Sequence, residues 1–276
     1  MFAGVNGVDL YYEVVGTGTP MFVVGLLQCE LYRRALPEAL TTDVQMIFVE
    51  LRGSARSAGD PAELTFGLAA DDLDALRLHL GLDRVAVFGH AIHGMFATAY
   101  ATRYPAATSH VVLTSTPALV PDESTKEFWR QDALPERQAA FDRQLWSLPE
   151  DAAHDPFTSS EMFVRYRTVM AADAWYDPNF DAAWLWDGIS ASPALLNRLY
   201  NELAPGWDAA AALSRVPAPT FMAAGRFDYR VPYPSWLAVA DRTPGVTVEV
   251  FQRSGHWPSI EQPDRFARAV SEFVAT

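Results

Sequence analysis

Cysteine and lysine are almost absent from this chain: Cys29 and Lys126 stand alone among 276 residues. A single thiol excludes an internal disulfide and any cysteine-rich metal site. No apolar run approaches the roughly 18 residues of a membrane span. Basic charge is also short, and the net charge of -13 would repel the phosphates of nucleic acid and of anionic membranes. That acidity is read as a solubility feature, with a preference for a neutral or cationic ligand as the alternative. The opening residues Met1-Phe2-Ala3-Gly4-Val5 lack the basic region and apolar stretch of a secretory signal. Together these absences predict a cytoplasmic protein with no nucleic-acid partner and no membrane partner.

Apolar residues make up 50% of the chain, ample for a sizeable core at this length. Short continuous apolar runs predict buried strands at Met21–Val24, Met46–Val49, Val85–Phe88, Val111–Leu113, Thr220–Ala224 and Val246–Phe251. Val8–Val15 is β-rich and ends in the turn Gly16–Pro20. Helical patterns lie between the strands. Leu68–Leu80 places Leu73, Leu76 and Leu80 on one face and is followed by Gly81. Met95–Tyr104 is stopped by Pro105, and Pro263–Val274 aligns Phe266, Val270 and Phe273. This alternation predicts an α/β chain with a mostly parallel sheet flanked by helices.

From about Pro117 to Pro217 the alternation stops. Helical segments are expected at Glu127–Leu148 and Ser160–Ala172, and the stretch holds Trp129, Trp146, Trp175, Trp184, Trp186 and Trp207. The organisation expected is a core of residues 1–116 and 218–276, with a helical lid of residues 117–217 over the end of the sheet.

The most informative segment is Gly89-His90-Ala91-Ile92-His93-Gly94. It follows a predicted strand and opens a predicted helix, the context of a nucleophile elbow, G-x-S-x-G. Its central position holds Ala91, so the reactive oxygen of that motif is missing. The other parts of an acyl-transfer site have candidates in the order nucleophile, acid, base. Asp228 follows the Thr220–Ala224 strand, and His256 follows the Val246–Phe251 strand. A loop there presents side chains at the carboxyl edge of a parallel sheet, where ligands bind. The oxyanion hole is expected from the N–H groups of Ile92 and Leu26, with Gly25 letting the backbone approach substrate. His90 and His93 flank the elbow and are expected mainly to pack. Cys29 is expected to be a buried hydrophobe. No helical H-x-x-x-H spacing supports a metal site, and no cofactor is expected.

These motifs resemble those of the α/β-hydrolase fold superfamily over nearly the whole chain. Gly89–Gly94 matches its elbow, Leu51-Arg52-Gly53-Ser54-Ala55-Arg56-Ser57 its loop after an early strand, Gly225-Arg226-Phe227-Asp228 its acid loop, and Ser254-Gly255-His256 its histidine loop. The resemblance implies an α/β-hydrolase fold, Asp228 and His256 as acid and base, and Ala91 where serine is expected. Small bacterial esterases and proline-iminopeptidase-like members are the nearest in pattern. The expected function is therefore serine hydrolysis of a carboxylic ester, in a form inactivated at residue 91. Lactone or aminoacyl-amide hydrolysis is the alternative. A protein naturally without the serine, acting as a lyase, cyclase or cofactor-free oxygenase or as a ligand-binding protein, is the alternative of another class. A small-molecule substrate with an apolar or aromatic group is expected, its pocket lined by Gly25, Leu27, His90, Trp129, Trp146, Trp186 and Trp257.

Overall fold

The computed structural model describes residues 1–150 and 155–276. Eight strands form one sheet: β1 (Phe2–Val5), β2 (Val8–Val15), β3 (Thr19–Gly25), β4 (Val44–Glu50), β5 (Val85–His90), β6 (Thr108–Thr114), β7 (Thr220–Gly225) and β8 (Val246–Phe251). Their order is β1-β2-β4-β3-β5-β6-β7-β8. β1 pairs antiparallel with β2, and β2 with β4, while all pairs from β4 to β8 are parallel. The short β1 is the one strand that the apolar pattern did not predict, because its four residues alternate exposed and buried.

Both faces of the sheet are covered, so its central strands are buried throughout. In β3, Phe22 and Val24 pack with Leu73, Leu76 and Phe96 on one face. Met21 and Val23 face the other way, with Leu31, Phe266 and Val270. This two-sided burial is the reason continuous apolar runs, rather than alternating ones, mark these strands. Helix Phe66–His79 is capped by the Thr65 hydroxyl on the Leu68 N–H at 3.1 Å, and Gly81 follows with φ 68°. Helix Pro263–Val274 has the bounds its periodicity predicts.

Between β6 and β7 the described residues contain helices and no strand, apart from one isolated bridge between Leu119 and Asp208. The single helix expected over Glu127–Leu148 is two, Ser124–Asp132 and Pro135–Ser147. Pro135 forces the break: it cannot continue a preceding helix, and it suits the first turn of a new one. Helix Ser160–Val169 is capped by the Ser159 hydroxyl and ends three residues before the expected Ala172.

Candidate active site

The carboxyl ends of β3, β5, β7 and β8 lie at one edge of the sheet, and the loops that leave them meet there. β5 ends at His90, and the chain turns through Ala91 into helix Gly94–Arg103. Ala91 has φ 50°, a left-handed conformation that costs a residue with a Cβ about 1–2 kcal/mol. Two glycines make the turn sterically possible. A Cβ on Gly89 would lie 2.4 Å from the Gly94 Cα, and one on Gly94 would lie 2.0 Å from the Thr116 hydroxyl. The elbow thus has the strained shape that exposes a nucleophile, with a methyl group at its apex.

Asp228 is fully buried in the loop after β7. Its Oδ1 accepts the backbone N–H groups of Arg230 and Val231, each at 3.0 Å, and its Oδ2 lies 2.8 Å from His256 Nδ1. Two oxygens held as acceptors fix the imidazole tautomer: Nδ1 carries the proton and Nε2 keeps its lone pair. The acid and histidine loops are brought together by glycines. A Cβ on Gly225 would lie 1.8 Å from the Gly255 carbonyl oxygen, and one on Gly255 would lie 2.3 Å from that of Ala174. The His256 N–H donates to the Ala174 carbonyl at 2.5 Å, so the helical segment also holds this loop.

His90 serves the same end. Its ring stacks on Trp257 at 3.8 Å between centroids, and its Nε2–H donates to the His256 carbonyl at 3.0 Å. Burial holds its pKa well below the usual histidine range, with the neighbouring His256 acting in the same direction. It is a neutral brace between the elbow and the histidine loop.

The loop after β3 is locked by the buried carboxylate of Glu50. Its oxygens accept the Cys29 N–H at 2.9 Å and the Arg56 N–H at 2.7 Å. Arg56 also reaches Glu30 at 2.9 and 2.7 Å. Arg52 forms a two-pronged pair with the buried Asp72, 2.7 Å at each contact. These bonds account for the arginines of the Leu51–Ser57 motif. Burial pushes the Cys29 thiol pKa up, so Cys29 is a protonated thiol and not a nucleophile.

An apolar cavity opens above the elbow. Leu26, Leu27, Ala91, Ile92, His256 and Trp257 form its floor, and Phe163, Trp186 and Leu196 come from the helical segment. Gly25, Trp129 and Trp146 were expected in its wall and are not there. Gly25 backs onto the Tyr32 ring instead. Trp129 packs on Phe141 and on Tyr229 of the acid loop, at 5.0 and 4.9 Å, while Trp146 is 87% exposed. The break before Pro135 separates these two tryptophans into different helices, and neither reaches the cavity.

Five further polar residues line it that the local sequence pattern does not mark: Tyr32, Arg167, Ser192, Tyr200 and Arg230. His93, expected mainly to pack, lines it as well. The Tyr32 hydroxyl lies 2.5 Å from His93 Nδ1. Burial lowers His93 to about 3, helped by the charge of Arg167, and burial raises Tyr32 well above the usual phenol range. The pair is therefore neutral, with Tyr32 donating to Nδ1 and the proton of His93 on Nε2. Arg230 is paired to Asp173 at 3.0 and 2.8 Å. Among the described residues, no group of three or more His, Cys, Asp or Glu is placed to hold a metal ion.

Known proteins share this architecture. A bacterial relative, the AB hydrolase superfamily protein YclE of Bacillus subtilis (strain 168), is 30% identical, covering 98% of this chain and 96% of its own length. An alpha/beta fold family hydrolase from Bacillus anthracis superposes with a TM-score of 0.74 at 20% identity, covering 99% of this chain and 98% of that one. A thermophilic esterase from Thermogutta terrifontis gives 0.63 at 26% identity, over 97% of this chain and 93% of that one. The family model described as alpha/beta hydrolase fold matches residues 21–263. With the elbow, the buried carboxylate–imidazole pair and the sheet order all in place, the chain belongs to the alpha/beta hydrolase fold family.

Proposed function

We propose that the cavity is a carboxylic ester hydrolysis site of the acyl-enzyme type, and that Ala91 marks its silenced nucleophile position. The observation that carries this reading is the buried His256–Asp228 pair at 2.8 Å, whose His256 lines the same cavity as the left-handed residue 91. With serine at 91, the hydroxyl oxygen would attack the ester carbonyl while His256 Nε2 takes its proton. The N–H groups of Leu26 and Ile92 would hold the oxyanion; Ile92 heads a helical turn, where an N–H has no intrahelical acceptor. His256 would then give its proton to the leaving alcohol, and water would release the acid by the reverse sequence. Residues 117–217 act as the lid, and Phe163, Trp186 and Trp257 favour an apolar or aromatic substrate group. The esterase among the similar structures supports the ester class. An aminopeptidase would need an acid for the substrate amine. Of Glu30, Asp173, Asp177, Asp187 and Glu202, none lines the cavity, and Glu30, Asp173 and Glu202 are paired to arginines.

The test is turnover of p-nitrophenyl acetate and butyrate by this chain and by Ala91→Ser. Serine should raise turnover by several orders of magnitude, and His256→Ala in that background should abolish the gain. The lack of a hydroxyl at Ala91 beside the His256–Asp228 pair favours one second reading, in which His256 abstracts a proton from a bound acid and no covalent intermediate forms. Ester turnover that Ala91→Ser fails to raise would overturn the first reading in favour of the second.

A further inference from the structure

Among the described residues, one positive charge lining the cavity has no ion-pair partner. Two arginines line this cavity. Arg230 is answered by Asp173 in a two-pronged ion pair. Arg167, in the last turn of helix Ser160–Val169, has no carboxylate partner among the described residues. Its Nη2–H donates to the Tyr200 hydroxyl at 3.0 Å, and its guanidinium lies 5.1 Å from the centre of the Phe163 ring. A neutral phenol and an aromatic face orient a cation without cancelling its charge. That charge is felt inside the site, where it acts with burial to keep His93 and His90 unprotonated.

Tyr200 completes the arrangement. Its oxygen accepts from Arg167, which leaves its own O–H proton to be donated elsewhere. It sits in the turn Arg198–Leu203, where the Ala204 N–H reaches back five residues to the Leu199 carbonyl at 2.9 Å. Such widened turns cost helix regularity and are concentrated at functional sites. Two side chains from two separate helical elements therefore bring N–H and O–H donors to one point of the cavity wall. An uncompensated guanidinium at a partly desolvated position is costly unless an anion meets it.

We propose that Arg167 and Tyr200 form an anion subsite, and that the substrate bears a carboxylate distant from its reacting carbonyl. This deepens the ester reading, since it names the substrate class of the same cavity. It also opposes the preference for a neutral or cationic ligand suggested by the net charge of -13: the surface is acidic and the cavity wall is not.

The experiment compares binding of 4-phenylbutanoate and of its neutral amide to the full chain with Ala91, by isothermal titration. The acid should bind at least tenfold more tightly than the amide, and rising salt should narrow the gap. Arg167→Gln should bring the ratio close to one, Tyr200→Phe should reduce it several-fold, and Arg167→Lys should retain part of it. Equal affinities in the unaltered chain, no binding of either compound, or an unchanged ratio in folded Arg167→Gln would each overturn the subsite. The salt series needs no variant, so a misfolded substitution leaves the proposal open to refutation. No turnover is needed either. Failure of Ala91→Ser to hydrolyse neutral esters would count against the acyl-transfer reading alone, and an acid-to-amide ratio of one against the subsite alone.

Discussion

At the scale of single residues, Ala91 and Asp228 show how much depends on a few atoms. Ala91 holds a left-handed backbone, φ 50°, at the turn from β5 into a helix, with only a methyl group at its apex. Asp228 holds His256 in one tautomer through two backbone N–H bonds and one imidazole bond. In the Ala91→Ser background, Asp228→Asn should keep the geometry and lose the tautomer. Turnover should then fall by about 10³–10⁴, with KM little changed. Steady-state kinetics on p-nitrophenyl butyrate check this, and a loss confined to KM would mean that Asp228 does not act through His256. As a candidate pair, Asp228 and His256 were legible from their places after predicted strands, and the structure brings them within 2.8 Å. Arg167 was less so, although it lies four residues after Phe163 and so shares a helix face with a buried ring.

At the scale of elements, the strand–turn–helix unit from β5 to Gly94–Arg103 depends on its glycines. Gly94 lies where a Cβ would press on the Thr116 hydroxyl, methyl and Cβ at 2.0, 2.7 and 2.9 Å. Gly94→Ala should therefore destabilise the fold by about 3 kcal/mol, the upper range for an overpacked interior site. A urea midpoint that does not move would show that the elbow yields more easily than this contact implies. The helical segment between β6 and β7 is tied together internally, and to the loop after β7, by specific polar contacts. Arg137, buried, donates to the carbonyls of Ala172 and Trp175 at 2.7 and 2.9 Å. Asp132 and Asp173 pair with Arg226 and Arg230 of the acid loop. The sequence indicated a helical insertion here, but the break before Pro135 and the contacts with Arg226 and Arg230 depend on how the helices dock.

At the scale of the whole molecule, the site costs stability in acid. Burial lowers His90 well below 6.5 and His93 to about 3. The unfolded chain takes up protons at both histidines near the usual value, while the folded chain does not. Below about pH 6.5 the unfolded state therefore binds more protons, and stability falls as pH drops towards about 3. The slope is about 1.4 kcal/mol per pH unit for each histidine. Above about pH 6.5 both are neutral in both states and the contribution is flat. His93→Gln keeps an acceptor for the Tyr32 hydroxyl and removes the titration. Between about pH 7 and pH 5.5 its urea stability should fall less than that of the unaltered chain, by about 1.4 kcal/mol. Equal losses would mean that His93 protonates normally in the folded protein.

By itself the sequence determined seven of the eight strands, the elbow and the order of its candidate catalytic residues. Apolar runs, caps and glycine turns act over a few residues, and two-sided burial of a parallel sheet leaves a plain mark on composition. The tertiary structure alone decided which side chains reach the cavity. Trp129 and Trp146 turn away from it while Trp186 enters, and Tyr32 meets His93 across 61 positions of sequence. Arg167 meets Tyr200 across 33 positions. Those meetings depend on the rotation and docking of helices against one another, which no local period encodes.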